Sequence, residues 1–517
     1  MAEWPRRSRS FGYNKKDMRM NVHRSGGPIA AFVTILVVAA CATPPSTRQA
    51  GLDRIEHVIV LYAENRSFDN LYGTFPGANG LANASAAQYT QVDHGGNPLP
   101  HLPPVWKGST SDADPAFPKD LPNRPFGIDA PPINLPLSVK TRDLIHAFYR
   151  NQEQIDGGRN DRFVEASDAG ALVMGHYDGS KLPMWKWAQE YTLADDFFMG
   201  AFGGSYLNHM WLICACTPID RDGPANLRAK LDDRGWLARA ASSPASVLDG
   251  PPKFVQSGLL TPDGFSVNTT QPRYQPSIVP PAPGGDPRYA DPSKYTLPPQ
   301  TLKTIGDTLS AKGITWVWYS GAWDAAVKDG MQPPRAKRLV INYREPGGRN
   351  FITHHQPFNY FARFAPGTRD RAEHLKDETE FIAGIERGEL PQVVFYKPQG
   401  SQNEHPGYAD VLSGDEHIAG IVAKIKASPL WASSVIIVTY DENGGFWDHV
   451  APPKGERWGP GTRIPTMIIS PFAKRHYIDH THYDTTSILK FITLRFGLEP
   501  LAGVRQDAGD LTNALEF

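Results

Sequence analysis

His57-Val-Ile-Val-Leu-Tyr62 runs straight into Ala63-Glu64-Asn65-Arg66-Ser67-Phe68-Asp69, and this junction decides how the chain folds. The first stretch is apolar without alternation and rich in β-branched residues, the pattern of a strand covered on both faces. Three further runs repeat it: Val393 to Tyr396 (VVFY), Val435 to Tyr440 (VIIVTY) and Thr466 to Ser470 (TMIIS). Helical spacing appears between and after them, over Thr301 to Lys312, Asp415 to Ala427 and Thr485 to Phe496. Strands alternating with helices predict an α/β three-layer sandwich around a mostly parallel central sheet. Leu81 to Ser138 and Ser243 to Gln300 are dominated by Pro, Gly, Asn, Asp and Ser, and are expected to be long loop insertions in that one domain.

The residues just beyond the strands are as informative as the strands themselves. HVIVLY delivers Glu64 and Asn65; VVFY leads into Lys397 to His405, ending Gln402-Asn403-Glu404-His405; VIIVTY delivers Asp441-Glu442-Asn443-Gly444-Gly445. In an open α/β sheet the carboxyl edge of the strands is where ligands bind. Glu64, Asn65, Asp441 and Glu442 are oxygen donors suited to a hard divalent cation, and acids gathered so closely repel unless a cation sits among them. The plainer alternative is a Glu64–Arg66 ion pair and an Asp441-Glu442 turn.

Between these clusters lies Phe202-Gly203-Gly204-Ser205-Tyr206-Leu207-Asn208-His209. Two glycines leave room above a serine, and YLNHMWLI is expected to start a helix whose free N–H groups face a phosphate oxygen. Ser205 is then a candidate nucleophile activated by metal contact, the alternative being a helix N-cap. His146, the pair His354-His355, and His405 are the imidazoles best placed to donate to phosphoryl oxygens or protonate a leaving alkoxide. His449, His476, His480 and His482 are expected to be loop residues.

The remaining features bound the setting. The 517 residues carry 53 basic and 54 acidic side chains, a net charge of −1, which gives no global attraction to nucleic acid. Residues 1–50 are expected to be an export signal and linker preceding a single catalytic domain, 51–517. Gly27 to Ala40 is an apolar run with basic residues before it, too short to anchor in a bilayer, and Val38-Ala39-Ala40-Cys41 resembles a lipoprotein cleavage box. A lipidated Cys41 would tether the protein to a membrane; an ordinary signal with a chance cysteine is the alternative. Arg6-Arg7 hints at twin-arginine export, with Met18 or Met20 as other possible starts. Periplasmic, outer-membrane or secreted locations are all compatible. Cys214 and Cys216, one residue apart, are expected to be free buried thiols.

The segments IEHVIVLYAENRSFDNLYG, AFGGSYLNHMWLI, THHQPFNYF, QNEHPGYAD and VIIVTYDENGGFWDHVAPP together resemble the bacterial acid phosphatase and phospholipase C family of phosphoesterases, over about Ile55 to Gly497. That resemblance implies an alkaline phosphatase-like fold and one metal ion held by Glu64, Asn65, Asp441 and Glu442. It also implies a nucleophilic Ser205 that approaches the metal, with His146, His354, His355 and His405 around the phosphoryl group. His209 stands where relatives carry Arg. A phosphomonoesterase working through phosphoserine is the leading expectation, because the family's phospholipases carry further C-terminal domains. A phospholipase C acting on phosphatidylcholine-type diesters is second, with Trp316, Trp318, Tyr319 and Trp323 as candidate choline cage. A binding protein without turnover is third.

Overall fold

The computed structural model describes residues 47–108, 110–342 and 348–517, which fall in one unit, Ser46–Phe517. The export segment and Cys41 lie outside the described residues. Eight strands form the central sheet: β1 His57–Ala63, β2 Thr192–Ala194, β3 Trp316–Ser320, β4 Leu375–Asp377, β5 Val393–Lys397, β6 Ser434–Tyr440, β7 Thr466–Ile469 and β8 Tyr477–Asp479. Their spatial order is β8-β2-β7-β6-β1-β5-β3-β4. All neighbours run parallel except at β7, which is antiparallel to both β6 and β2. The expected α/β class with a mostly parallel sheet is what the chain adopts.

Each apolar run became a strand because it has cover on both faces: β3, β5, β6 and β7 are buried at every position. The helices that supply the cover are α1 Phe68–Tyr72, α2 Pro183–Glu190, α3 Ser205–Cys214, α4 Ile305–Ala311, α5 Glu378–Arg387, α6 Val411–Ala427 and α7 Thr485–Phe496. Helix α6 packs on both α2 and α5, while α3 packs on both α4 and α7, giving the two outer layers. Capping sets the helix starts. Asp410 accepts from Ser413 N and begins α6 four residues before the expected Asp415; Thr304 accepts from Asp307 N and delays α4 to Ile305.

Register places the functional edge. Ala63 lies opposite Tyr440 and Leu61 opposite Tyr396, so Glu64 and Asp441 leave adjacent parallel strands at one level. Because β7 is reversed, the residues that precede it arrive at this same edge. Arg463 is among them and is fully buried. Its Nη2 donates to Asp69 Oδ1 at 3.1 Å and its Nε to Asp448 Oδ1 at 3.1 Å; its Nη1 reaches the carbonyls of Asn79 and Asp195, both at 2.7 Å. His449, expected as a loop residue, is buried here with Nδ1 2.6 Å from Asp69 Oδ2. Asp69, Asp448 and His449 have the spacing of a metal site, but Arg463 already supplies their cation.

The two exit loops are therefore fastened beyond the strands as well as along them. Replacing Arg463 with Met leaves two buried carboxylates without their counter-charge. Unfolding free energy is expected to fall by about 3–5 kcal/mol, read by chemical denaturation. A loss of less than about 1 kcal/mol, the range of a surface pair, would contradict the role given to this residue.

Candidate active site

The loop after β1 turns sharply at Asn65, whose φ of 62° is left-handed, a conformation asparagine tolerates. That turn presents Asn65 N to Asp441 Oδ1 at 3.0 Å, while Arg66 N donates to Glu442 O at 3.0 Å. Gly444 must be glycine: its φ is +62°, and a Cβ there would stand 2.3 Å from Asn65 O. The sequence alternative for Glu64 does not hold, because Arg66 turns away to Asn70 Oδ1 and Glu404 O.

Ser205 is the first residue of α3, and Gly204 rather than Ser205 occupies the N-cap. Gly203 has φ +90° and packs where a Cβ would come within 2.5 Å of Phe148 backbone, which lets the loop pass beneath His146 and Phe148. Asn208 fastens the loop, accepting from Ala201 N at 2.9 Å and donating to Ala201 O at 3.1 Å. Ser205 Oγ lies 3.3 Å from Asn65 Oδ1 and 3.2 Å from Glu442 Oε1, 4% exposed. Three segments more than 100 residues apart therefore meet at one hydroxyl.

The charged groups around it are buried. Glu64 Oε2 accepts from Tyr408 OH at 2.7 Å, and Oε1 faces Lys397 Nζ at 3.0 Å and His355 Nε2. Burial alone raises a carboxyl, but His355 and Lys397 hold Glu64 well below the ordinary carboxylate range. Asp441 and Glu442 go the other way. Burial pushes them up to about 7 and about 8, only partly offset by Lys397 and His146 respectively. Burial also keeps His354, His355 and His209 below the usual imidazole value, and takes His405 down to about 4. His146 is the exception: against burial, the Glu442 and Asp143 carboxylates raise it to about 9. Its Nε2 is 3.7 Å from Glu442 Oε1 and its Nδ1 is 3.7 Å from Asp143 Oδ1.

The donor set fits a cation. Glu64, His209 and Asp441 offer one ligand atom each within 4.8 Å of one another, as do Glu64, His354 and His355. Asp441 Oδ2, His209 Nε2 and His355 Nδ1 are buried and lack a hydrogen-bond partner among the described residues. His209 Nδ1 lies 2.7 Å from Ser205 O and 3.8 Å from Asp441 Oδ2, and its Nε2 is buried without a partner. These imidazoles extend the all-oxygen set expected from sequence and suit zinc as well as harder ions.

All the sequence candidates thus converge: Glu64, Asn65, Ser205, Asp441 and Glu442 at the centre, with His146, His354, His355 and His405 around them. Lys397, Tyr408 and Asp143 join them, which sequence reasoning does not single out. Lys397 is visible in the sequence as the charged residue ending a buried strand, and Tyr408 falls within QNEHPGYAD, where nothing marks it as a partner of Glu64. Two expectations fail. Trp316, Trp318, Tyr319 and Trp323 are 0–6% exposed core residues, and Trp318 Nε1 donates to His355 O at 2.7 Å, supporting the wall behind the site in place of a choline cage. Cys214 and Cys216 form a disulfide, possible because Ala215 turns left-handed at the end of α3 and brings the Cα atoms to 5.1 Å.

Phospholipase C A of Mycobacterium tuberculosis is 25% identical over 510 residues, spanning 90% of this chain and 78% of that protein. Non-hemolytic phospholipase C of Pseudomonas aeruginosa is 24% identical, spanning 97% of this chain and 64% of that protein. Among solved structures, an alkaline phosphatase superfamily protein from Vibrio parahaemolyticus aligns at 12% identity and TM-score 0.32, over 75% of this chain and 76% of that one. The model of the phosphoesterase family matches residues 55–499, strand edges, serine loop and imidazoles included, and the chain belongs to that family.

Proposed function

We propose that the protein hydrolyses phosphoric monoesters through a phosphoserine at Ser205. The observation that carries this is the hydroxyl held between Asn65 Oδ1 and Glu442 Oε1 in a buried, acid-rich centre. A divalent ion held by Glu64, Asp441 and His209, with Asn65, Glu442 and Ser205 beside them, would acidify the serine hydroxyl and neutralise phosphoryl oxygens.

The chain's own groups supply the rest. With Glu442 ionised, as it would be beside a bound cation, Ser205 Oγ attacks phosphorus and its proton passes to Glu442 Oε1, 3.2 Å away. The bond to the alcohol breaks, and His146, which the Glu442 and Asp143 carboxylates favour in its protonated form, gives its proton to the leaving oxygen. Neutral His146 then takes a proton from the water that attacks phosphoserine, and Glu442 returns a proton to Ser205 Oγ. His354 and His405, neutral, donate to the equatorial oxygens. The positive surroundings of His146 and Lys397 suit the dianionic charge of a monoester. Phosphodiesters are the second reading, favoured by relatives named phospholipase C that align over nine-tenths of the chain.

Ser205→Ala is expected to reduce hydrolysis of 4-nitrophenyl phosphate by at least about a thousandfold while circular dichroism and melting temperature stay close to wild type. Acid-quenched wild type should yield a phosphopeptide containing Ser205. Full activity in the variant would remove the nucleophile. Running 4-nitrophenyl phosphate beside 4-nitrophenyl phosphocholine separates the monoester from the diester reading.

Asp441 and Glu442 give a second expectation. Their folded values lie above those of the unfolded chain, so without a bound cation stability is lost as pH rises from about 4 toward about 8. Each proton displaced is worth about 1.4 kcal/mol per pH unit. A divalent ion takes the deprotonated acids, so its stabilisation grows with pH. The melting temperature gained on adding divalent ion to chelator-treated protein should be larger at about pH 8 than at about pH 5. An equal gain at both would dissociate the acids from metal binding.

A further inference from the structure

A cavity of about 570 Å³ opens from His146 and Gly204 and extends away from the reacting centre between the Asp143–Ala147 segment and the inserted loop at residues 257–269. Leu144, Ile145, Leu259 and Val267 provide its apolar walls. Arg142, Asn268 and Tyr206, among the polar residues that line it, are already engaged. Arg142 Nη1 donates to the carbonyls of Trp106, Gly108 and Asp168, and Nη2 pairs with Asp168 Oδ2 at 2.7 Å. Asn268 Oδ1 accepts from Phe148 N and Nδ2 donates to Gly258 O; Tyr206 OH donates to Ser266 Oγ. The guanidinium is matched by Asp168, while Asp143 adds a carboxylate at the mouth.

We infer that this cavity receives the leaving alcohol of the ester as an uncharged, apolar group, and that it disfavours substrates with a second anionic group on that alcohol. The inference rests on the phosphoesterase reading of the adjoining centre. Two observations carry it. His146, whose Nε2 is 3.7 Å from Glu442 Oε1, and Gly204, next to Ser205, belong to both the centre and the cavity wall, so the cavity opens directly off the reacting centre. Apolar lining leaves a ligand mostly contact surface to gain, and the two cationic side chains in the wall are both paired, Arg142 with Asp168 and His146 with Asp143, so a second anion finds no free counter-charge there.

The test is the affinity of straight-chain alkylphosphonates, methyl to octyl, for the divalent-ion-loaded protein by titration calorimetry. It needs no turnover and so holds for either ester class. Affinity should rise roughly three- to fourfold per methylene over the first several carbons, the transfer value of a buried methylene. Leu259→Asn and Val267→Asn should each flatten that rise. A hexane chain with a phosphonate at both ends should bind more weakly than hexylphosphonate. Equal affinity for methyl- and octylphosphonate, or an unchanged rise in both variants, overturns the cavity assignment while the phosphate site stands. Tighter binding of the bisphosphonate overturns the anion exclusion. Failure of every phosphonate to bind overturns the reading of the centre itself, and the cavity with it.

Discussion

Three carboxylates without access to water, at the ends of two neighbouring strands, are the constraint on which the rest of this molecule turns. Glu64, Asp441 and Glu442 are each 0% exposed. Burying one ionised acid is expensive, and burying three together is more so unless charge and hydrogen bonds are brought to them. The fold brings both. Backbone N–H groups of Asn65 and Glu442 converge on Asp441 Oδ1, Gly444 N reaches Glu442 Oε2, and Tyr408 reaches Glu64. Lys397 and His355 then hold Glu64 ionised. These partners do not meet the demand of Asp441 and Glu442, whose raised values record the remainder. A phosphoric ester hydrolase uses such a remainder: affinity for a cation is what an unsatisfied acidic centre has to offer.

Keeping the acids together requires the exit loops not to splay. The parallel register of β1 and β6 sets their distance at the strand ends, but a loop six residues further on has no such rail. Arg463 replaces it. Reversal of β7 brings this residue to the carboxyl edge of its neighbours, where a strand in the common direction would have delivered it to the opposite edge. One guanidinium, with donors in a fixed fork, ties Asp69, in the first turn of α1 after β1, to Asp448 on the loop after β6. Resemblance of this cluster to a metal site is a consequence of the same chemistry, two acids and an imidazole gathered around a charge, with arginine as that charge.

The sheet and much of the centre are legible in the sequence for a physical reason. A strand buried on both faces has no polar side to display, so HVIVLY and VIIVTY announce themselves, and parallel strands must discharge their polar residues at one edge. Glu64, Asn65, Asp441 and Glu442 are local to that signal. Ser205 has only a Gly-Gly turn to mark it, and the family resemblance identifies it. The hidden part depends on contacts between distant segments. Tyr408 matters because it touches Glu64, 344 residues away in sequence, and Arg463 because of Asp69, 394 residues away. The aromatic run of β3 reads equally as core and as cage, and only its position behind His355 separates the two. The Cys214–Cys216 bridge turns on one left-handed residue, Ala215, which a helical pattern does not announce.

Division of labour comes from where each group is anchored. Ser205 and the acids beside it come from the first turn of α3 and from strand ends, rigid positions that fix their geometry to within a hydrogen bond. Walls of the neighbouring cavity come from irregular chain, including residues 257–269 of the long insertion, where side chains change without disturbing the sheet. His146 stands at the boundary. It faces Glu442 and Asp143 and also forms part of the cavity wall, so under the proposed mechanism the proton for the leaving oxygen sits on the side where the alcohol would be held. Chemistry on phosphorus and preference for the alcohol are therefore separable in this architecture except at one imidazole. A change in alcohol preference needs altered loop residues alone, whereas any change at His146 alters both functions together.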